Sequence, residues 1–390
     1  MNSYVSNRWS VLAVLFVVRV SMAFQFQAVA ALSPLIMKEF QVGIADIGLL
    51  IGLYFAPGIV LAYPGGAIGK RFGDKATVLA GLAVMAAGGM IVATFASWEM
   101  QVTGRLLAGI GGVLLNVLMT KMLTDWFAGK EIATAMGIFV NSWPFGIALA
   151  LMTLPGLAEA TNLNAAMLGV AVLTMLGFVI LTACYRSPSD VQSSAAQNAP
   201  LRGVALWAVV CAGLTWGLYN AALGMIFGFG PAMLAEQGWT ATSASWATSI
   251  VLWLVAISMP LGGIIADRMK RVDAVLIAGL VLFGAMLVIS SRTDAVLVSF
   301  VMLGLVAGLS AGPIMSLPSR VLAPGNRAVG MGVFYTLYYA VVVVGPLVAG
   351  SLANLFGRIN IAFDLGAGML VGCAVLLVLF RHISEPSVAA

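Results

Sequence analysis

The chain has 390 residues, of which 62% are hydrophobic and only 8% are charged. A soluble globular domain is nearer half apolar and a quarter charged, so this composition excludes a protein that folds in water. The net charge of +5 does not indicate a nucleic-acid partner, because the basic residues lie in short segments between apolar runs. These runs are too long and unbroken for barrel strands of about ten residues, and they match helices that cross a lipid bilayer.

Twelve apolar runs follow one another along the chain in two sets of six. The first set lies at about residues 9–36, 47–69, 77–97, 102–122, 132–154 and 165–185, and the second at about 203–229, 243–265, 274–290, 295–318, 328–352 and 361–380. The polar stretch between the sets has the composition of a flexible linker. We therefore predict an all-α integral membrane protein with six-helix bundles over 1–185 and 203–390, joined by a linker over 186–202.

The cysteines and the single histidine give no sign of a metal or catalytic site. Cys184, Cys211 and Cys373 lie in or beside apolar runs without the spacing of metal ligands, and His382 lies in the C-terminal tail. The first apolar run is too long for the core of a signal peptide and lacks a small-residue cleavage site. We expect no cofactor, no metal and no cleavable signal.

Lysine and arginine are distributed unequally between the two sides of the membrane. With the N-terminus on side one, the connecting segments place fourteen basic residues on side one and three, Lys38, Arg292 and Arg358, on side two. Cytoplasmic loops carry the excess of basic residues. We therefore expect a multi-pass protein of the inner or plasma membrane whose termini and linker face the cytoplasm.

The two halves repeat one another at an offset of 195 to 197 residues. Three pairs of segments match: Ser33-Pro34 with Gly230-Pro231, each closing an apolar run, Gly65-Gly66 with Gly262-Gly263, and residues 135–139 with 330–334. Six helices intervene, so both copies enter the membrane from the same side. This is the parallel-repeat arrangement found in secondary transporters, and it predicts two pseudo-symmetric bundles.

The loop after the second run carries a family signature. Residues 66–75 read Gly-Ala-Ile-Gly-Lys-Arg-Phe-Gly-Asp-Lys, which resembles the hallmark loop Gly-x-x-x-Asp-Arg-x-Gly-Arg-Arg of the major facilitator superfamily. Lys70 stands where the family has Asp, whereas the second copy keeps Asp267 and Arg268. The fourth run opens with Arg105 followed by glycines, which resembles the family's fourth-helix motif.

Shorter sequence segments indicate a branch within the superfamily. Residues 137–146, within the fifth run, depart from the motif typical of drug exporters. Residues 23–27, 219–220 and 318–321 resemble bacterial carriers of the cyanate and 2-nitroimidazole type.

The resemblance implies a monomeric carrier that binds a small molecule near the midplane of a cavity between two bundles and rocks around it. It also implies a conformational latch, formed here by Gly66, Lys70, Arg71, Gly73, Asp267 and Arg268. Because Lys70 cannot accept the hydrogen bonds that an aspartate would, the latch of the first half is expected to be weaker or differently built.

Arg19 is the most informative single residue, because it lies about ten residues into the first run. A charge at that depth costs a few kcal/mol and calls for a partner or a water-filled cavity. One interpretation is that Arg19 binds an anionic group of the substrate. The other is that backbone carbonyls and side chains such as Gln25 or Gln27 satisfy it and it only shapes the bundle.

Arg105 has the same two interpretations, with snorkelling toward the membrane surface as the structural one. The sequence places no carboxylate in the middle of a run; Asp364, near the start of the last run, is the deepest. There is thus no acidic residue at that depth to neutralise Arg19 or to carry a proton.

Other polar and aromatic residues cluster in the runs that line the family's cavity. With the two arginines they form the predicted substrate-binding set: Arg19, Gln25, Gln27, Arg105, Asn116, Asn141, Trp143, Trp216, Tyr219, Asn220, Tyr335, Tyr338 and Tyr339. Spacings of three and four place Trp216, Tyr219 and Asn220 on one helical face, and the three tyrosines on another. The structural alternative is that each aromatic ring fills a helix contact.

These observations predict a secondary transporter of a small organic anion, coupled to protons or working by exchange. A carrier of a neutral or aromatic compound is the main alternative, with Arg19 structural. A membrane-embedded enzyme would need a nucleophile, metal ligands or paired carboxylates at membrane depth, and a channel would build its pore from other elements. We expect no enzymatic activity.

Overall fold

The computed structural model describes residues 7–188, 201–239 and 241–384. Every regular element within these ranges is helical, and twelve helices there are long and apolar enough to cross a membrane. This confirms the predicted all-α fold with twelve spans. Of the predicted linker over 186–202, residues 189–200 lie outside the described part of the chain.

The first half contains nine helices, of which all but the second belong to the first six spans. Their bounds are α1 Arg8–Ala31, α2 Ser33–Phe40, α3 Ile44–Phe55, α4 Pro57–Phe72, α5 Asp74–Thr94, α6 Trp98–Phe127, α7 Ile132–Val140, α8 Ser142–Ala160 and α9 Leu163–Cys184. The second span combines α3 with α4, and the fifth combines α7 with α8.

The second six spans are built from eight helices. Their bounds are α10 Val204–Glu236, α11 Ala241–Met269, α12 Val272–Ser290, α13 Val296–Ala307, α14 Ala311–Ser316, α15 Pro318–Val321, α16 Arg327–Phe356 and α17 Asn360–Ser384. The tenth span is interrupted by a 3₁₀ turn at Gly308–Ser310 between α13 and α14.

The two proline-containing ends of the repeat behave differently. In the first half α1 ends at Ala31. Pro34 has no N–H to donate to the Ala30 carbonyl, and the Ser33 hydroxyl donates to that carbonyl instead, at 3.0 Å. In the second half α10 continues through Pro231 to Glu236. The prediction that Gly230-Pro231 closes the seventh run was therefore wrong. A proline removes only one backbone hydrogen bond, and here the helix runs on past it.

The chain forms two compact units. The first contains the described residues of 7–127, 142–188 and 323–336. In it α1 packs against α8, α9 and α6, and α5 packs against α6 and α9. Its core beside the end of α1 is apolar, with Phe24, Leu32 and Leu154 almost fully buried.

The second unit contains residues 128–141, 201–322 except 240, and 337–384. In it α10 packs against α17, and α11 packs against α7 and α13. Compared with the sequence halves, the units exchange two segments: α7 belongs to the second unit, and the first ten residues of α16 belong to the first. The predicted bundle boundaries at 185 and 203 remain a prediction.

Candidate functional site

A polar cluster surrounds Arg19 in the first unit. Arg19 is the twelfth residue of the 24-residue helix α1 and is only 5% exposed. Its Nε and Nη2 donate to Asn116 Oδ1 at 3.3 and 3.1 Å, and its Nη1 donates to Ser142 Oγ at 3.2 Å. These two partners are neutral side chains, and they orient the guanidinium.

An aromatic group lies beside this cluster. The Arg19 guanidinium carbon is 5.9 Å from the centre of the Trp143 ring, within the range of a cation–π contact. Phe26 packs against Trp143 at 5.1 Å and against Phe55 at 4.8 Å between ring centres. Trp143 and Phe26 are partly exposed, so an apolar surface adjoins the buried charge.

A hydrogen bond from Tyr335 reaches the same stretch of α6. Thr120 Oγ1 donates to the Asn116 carbonyl at 2.7 Å and lies 2.8 Å from the Tyr335 hydroxyl. A threonine hydroxyl has one proton, so with that proton on the Asn116 carbonyl, Tyr335 is the donor to Thr120. Tyr335 is thereby tied to the Arg19 cluster through α6.

Arg105 is engaged differently, because its hydrogen bonds go to backbone carbonyls. Its Nε, Nη1 and Nη2 donate to the carbonyls of Leu50, Gln25 and Phe26 at 2.8, 2.8 and 2.6 Å. Its guanidinium carbon lies 4.5 Å from the centre of the Tyr54 ring, and the residue is 3% exposed. Arg105 thus joins α6 to α1 and α3, and the snorkelling interpretation does not describe these contacts.

The second unit has its own aromatic stack. Trp216 stacks on Tyr219 at 5.5 Å and on Tyr338 at 6.2 Å between ring centres, which confirms that Trp216 and Tyr219 share a helical face. The Tyr219 hydroxyl donates to the Ala307 carbonyl at 2.8 Å. Tyr339 is buried and meets Tyr338 edge-on at 5.0 Å.

The three tyrosines on α16 fall in different units. Tyr335 belongs to the first unit and bonds Thr120, whereas Tyr338 and Tyr339 belong to the second. Their common helical face stays a prediction, because helical spacing sets the direction of a side chain but not which neighbouring helix it meets.

The remaining predicted amides have varied surroundings. Gln25 is 4% exposed and donates to the Met85 carbonyl at 2.9 Å, so this amide does not serve Arg19 as anticipated. Asn220 donates to the Trp216 carbonyl of its own helix at 2.8 Å. Gln27 is partly exposed, and Asn141, in the second unit, has a buried Oδ1 without a hydrogen-bond partner.

The hallmark loop of the second half makes a helix cap. Asp267 Oδ2 accepts the Thr134 N–H at 2.7 Å, and Thr134 is the third residue of α7. The first N–H groups of a helix lack intrahelical partners and favour a negative charge. A Cβ added at Gly263 would collide with the Ala133 carbonyl oxygen, so the glycine permits this close approach.

The first half makes the same glycine contact without the cap. A Cβ at Gly66 would collide with the Ala328 carbonyl oxygen at the start of α16, but Lys70 and Arg71 are exposed on α4. Gly73 ends that helix with φ +88°, a conformation that suits glycine.

A buried ion-pair network lies near this contact instead. Asp125 accepts from Arg327 Nη1 at 2.9 Å and pairs with Lys121 at 2.7 Å, and Lys121 also pairs with Asp74. By sequence alone, Lys121 and Arg327 are simply two of the fourteen basic residues assigned to side one. The i,i+4 spacing of Lys121 and Asp125 was the available signal, since it places opposite charges together on one helix.

Comparisons with known proteins agree with this architecture. The family model described as Major Facilitator Superfamily matches residues 15–229 and 205–390. The inner membrane transport protein YajR of Escherichia coli is 26% identical over 87% of this chain and 75% of its own length. The hexuronate transporter of Bacillus subtilis is 20% identical over 90% of both chains, and the 3-(3-hydroxy-phenyl)propionate transporter of Escherichia coli is 27% identical over 85% of both.

Among solved structures, the proton:xylose symporter XylE matches with a TM-score of 0.77 and 13% identity over 96% of both chains. At this identity the likeness describes the fold alone. The family model, in contrast, covers both halves and spans the duplicated loop and the Arg19 cluster. The chain therefore belongs to the major facilitator superfamily.

Proposed function

We propose that the chain is a secondary transporter that carries a small organic anion by alternating access, with Arg19 as the anion-binding group. The observation that carries this proposal is the Arg19 cluster: a buried arginine halfway along α1, oriented by the amide of Asn116 and the hydroxyl of Ser142. Intramembrane charges are costly and mark substrate pathways. A carboxylate binding there would offset the charge, and the planar guanidinium fork suits it.

The surroundings of Arg19 favour an organic anion over an inorganic one. Phe26, Phe55 and Trp143 supply apolar ring surface next to the guanidinium. Two relatives are named for hexuronate and 3-(3-hydroxy-phenyl)propionate, which both carry one carboxylate on an organic body. These names support a monocarboxylate as substrate class, whereas the cyanate and 2-nitroimidazole branch has no counterpart among the relatives described above.

Coupling follows from the charge of such a substrate. Moving one negative charge into a negative-inside cell costs about 2.3 kcal/mol per 100 mV, so accumulation requires a co-transported cation or exchange. The sequence has no carboxylate in the middle of a span, so a proton would travel with the substrate or through hydroxyl groups such as Tyr335 and Thr120. Exchange of one anion for another avoids this requirement.

The test is ligand binding by Arg19 variants. Thermal stability of the purified protein is measured with a uronate and an arylpropionate, because a ligand of the native state raises stability by mass action. Arg19→Lys should weaken binding by losing the bidentate fork, and Arg19→Gln should nearly abolish it. Arg358→Gln, at an exposed arginine, is the matched control and should bind as the wild type does.

The outcome that contradicts the proposal is wild-type affinity in an Arg19→Gln protein that elutes as a single monodisperse peak. Uptake into proteoliposomes supplies a second test. A carrier shows saturable counterflow, whereas a channel shows none and an enzyme releases product.

The aromatic stack of the second unit supports a second candidate, a neutral or aromatic substrate. Trp216 and Tyr338 stack with an interplanar angle of 26°, and Tyr338 is partly exposed, so a planar ligand has ring surface to contact. Binding that survives in Arg19→Gln but is lost in Trp216→Ala would favour this candidate over the anion.

The conformational latch is a further part of the proposal. Asp267 at the α7 N-terminus and Gly66 and Gly263 at the close approaches are its working parts. The role of the aspartate that the family has at position 70 is taken here by Asp125, which pairs with Arg327 at the start of α16. We also keep the cytoplasmic placement of both termini as part of this proposal.

A further inference from the structure

An apolar groove runs along the membrane-facing side of the second unit, between α12 and α17. It extends from Leu280 to Ile289 on α12 and from Ala367 to Ala374 on α17, and it has a volume of about 680 Å³. All of its lining residues are apolar or glycine. Two of the lining residues, Val281 and Val371, are 61% and 66% exposed, so the groove opens toward the lipid.

The length of the groove matches one leaflet of a bilayer. The nine residue steps from Leu280 to Ile289 rise about 13.5 Å at about 1.5 Å per residue, which is close to half of the roughly 30 Å hydrocarbon core. Gly284 and Gly368 keep the groove open. A Cβ at Gly284 would make only ordinary contacts at 3.8 Å or more, and one at Gly368 would meet nothing within 4 Å, so helix packing does not require either glycine.

A pair of opposite charges lies at one end of the groove. Arg292 Nη2 donates to both carboxylate oxygens of Asp364 at 2.7 and 2.8 Å. Arg292 Nη1 also donates to the carbonyl of Val288 at 3.1 Å, and Val288 lines the groove. Asp364 lies one turn before Ala367 on α17. The charge pair therefore sits where the groove meets the membrane surface.

The exposure of this pair leaves it free to take a ligand. Its side chains are 44% and 36% exposed, and an exposed ion pair contributes only about 0–1 kcal/mol. Opening it to admit a headgroup is consequently inexpensive. A phosphate can accept hydrogen bonds from the guanidinium, and a primary ammonium can donate to the carboxylate.

We infer that this groove binds one acyl chain of a phosphatidylethanolamine molecule whose phosphate contacts Arg292 and whose ammonium contacts Asp364. The choice of headgroup follows from charge complementarity. Phosphatidylglycerol has no cation for Asp364, and the quaternary ammonium of phosphatidylcholine has no N–H to donate. The headgroup preference thus distinguishes a built site from an apolar surface that any lipid covers.

The first experiment measures thermal stabilisation of the delipidated protein by three lipids with identical acyl chains. Phosphatidylethanolamine should raise the melting temperature more than phosphatidylglycerol or phosphatidylcholine. Gly284→Leu fills the groove and should remove this increment. Gly156→Leu, at an exposed helical glycine with open space around it, is the matched control and should keep it.

The second experiment addresses the headgroup. Arg292→Gln and Asp364→Asn should each make the three lipids equivalent, and the double charge exchange Arg292→Asp with Asp364→Arg should restore the preference, because a zwitterion can bind in the reversed direction.

Equal stabilisation of the wild type by all three lipids would overturn the proposal. So would an unchanged increment in Gly284→Leu. Native mass spectrometry supplies one more discriminating outcome. If the wild type forms a dimer that Gly284→Leu abolishes, the occupant of the groove is a second copy of the chain and not a lipid.

Discussion

Two buried arginines in the first unit illustrate how the same side chain serves different ends. Arg105 donates to three backbone carbonyls on α1 and α3, so it joins the backbones of three helices. Arg19 donates to the side chains of Asn116 and Ser142, and a side chain can turn toward a ligand where a backbone carbonyl cannot. The two side-chain partners support the proposal that Arg19 binds an anion, and the three backbone contacts support a positioning role for Arg105.

The positioning role of Arg105 predicts a loss of stability. Arg105→Met removes three charge-assisted hydrogen bonds and leaves three carbonyls without their donors, which should cost about 3 kcal/mol or more. Arg105→Lys keeps the charge but loses the planar fork of the guanidinium, so its stability should lie between those of the wild type and Arg105→Met. The melting temperature of the purified variants checks this. An Arg105→Met protein with wild-type stability and no ligand binding would instead assign Arg105 to the substrate.

At the scale of elements, the repeat reappears as two matching helix contacts. Gly66 of α4 lies against Ala328 at the start of α16. Gly263 of α11 lies against Ala133 at the start of α7. The offsets are 197 residues for the glycines and 195 for the alanines, as in the sequence. The duplication therefore extends from motif to packing.

These contacts predict that alanine is not tolerated at either glycine. In Gly66→Ala or Gly263→Ala the new methyl group would push against a backbone carbonyl, which cannot move aside as a flexible side chain can. Overpacking of this kind costs about 1–3 kcal/mol. Gly156→Ala, in open space, should be neutral or slightly stabilising because alanine favours helix. Equal melting temperatures for all three variants would contradict the close approaches.

The two contacts differ in how the helix start is held. Asp267 caps α7 through the Thr134 N–H, but Lys70 at the equivalent position offers no acceptor. The start of α16 is held by the side-chain pair of Arg327 with Asp125. The second half thus uses a helix cap where the first half uses an ion pair, and both partners of that ion pair lie outside the loop.

Lys70→Asp should supply the missing acceptor and strengthen the first-half latch, shifting the resting state outward. Asp267→Asn should weaken the second, since a neutral amide interacts less with the helix dipole, by about 0.3–1 kcal/mol. Reactivity of single cysteines on the two sides of the membrane reports both shifts. Unchanged reactivity in Lys70→Asp would count against a latch at this loop.

At the scale of the whole molecule, the balance of basic residues predicts the orientation. Fourteen basic residues on one side against three on the other place the termini and the linker in the cytoplasm by the positive-inside rule. A cysteine at Ser193, in the linker and outside the described residues, should react with an impermeant reagent only after the cells are opened. Thr293→Cys, beside Arg292 on the opposite side, is the control and should be labelled in intact cells. Thr293 is partly exposed, whereas the neighbouring Ser291 is buried. Labelling of Ser193→Cys in intact cells would overturn this topology.

The sequence by itself determined the membrane environment, the twelve spans, the superfamily and the internal repeat. Each of these follows from composition, from run length against bilayer thickness or from residues at a fixed spacing, and none requires knowing which helices are neighbours. The sequence also singled out Arg19, because a charged residue within an apolar run can be recognised without knowing the fold.

Only the tertiary structure decided which groups each buried side chain meets. It placed Asn116 and Ser142 beside Arg19, engaged Arg105 with three carbonyls and gave Tyr335 and Tyr338 different neighbours. It also joined Asp125 to Arg327 across 202 residues of chain. Hydrogen bonds act over about 3 Å, so they depend on helix packing that sequence periodicity does not specify. Periodicity gives the face of one helix, and the partner on that face is set by the packing of all the others.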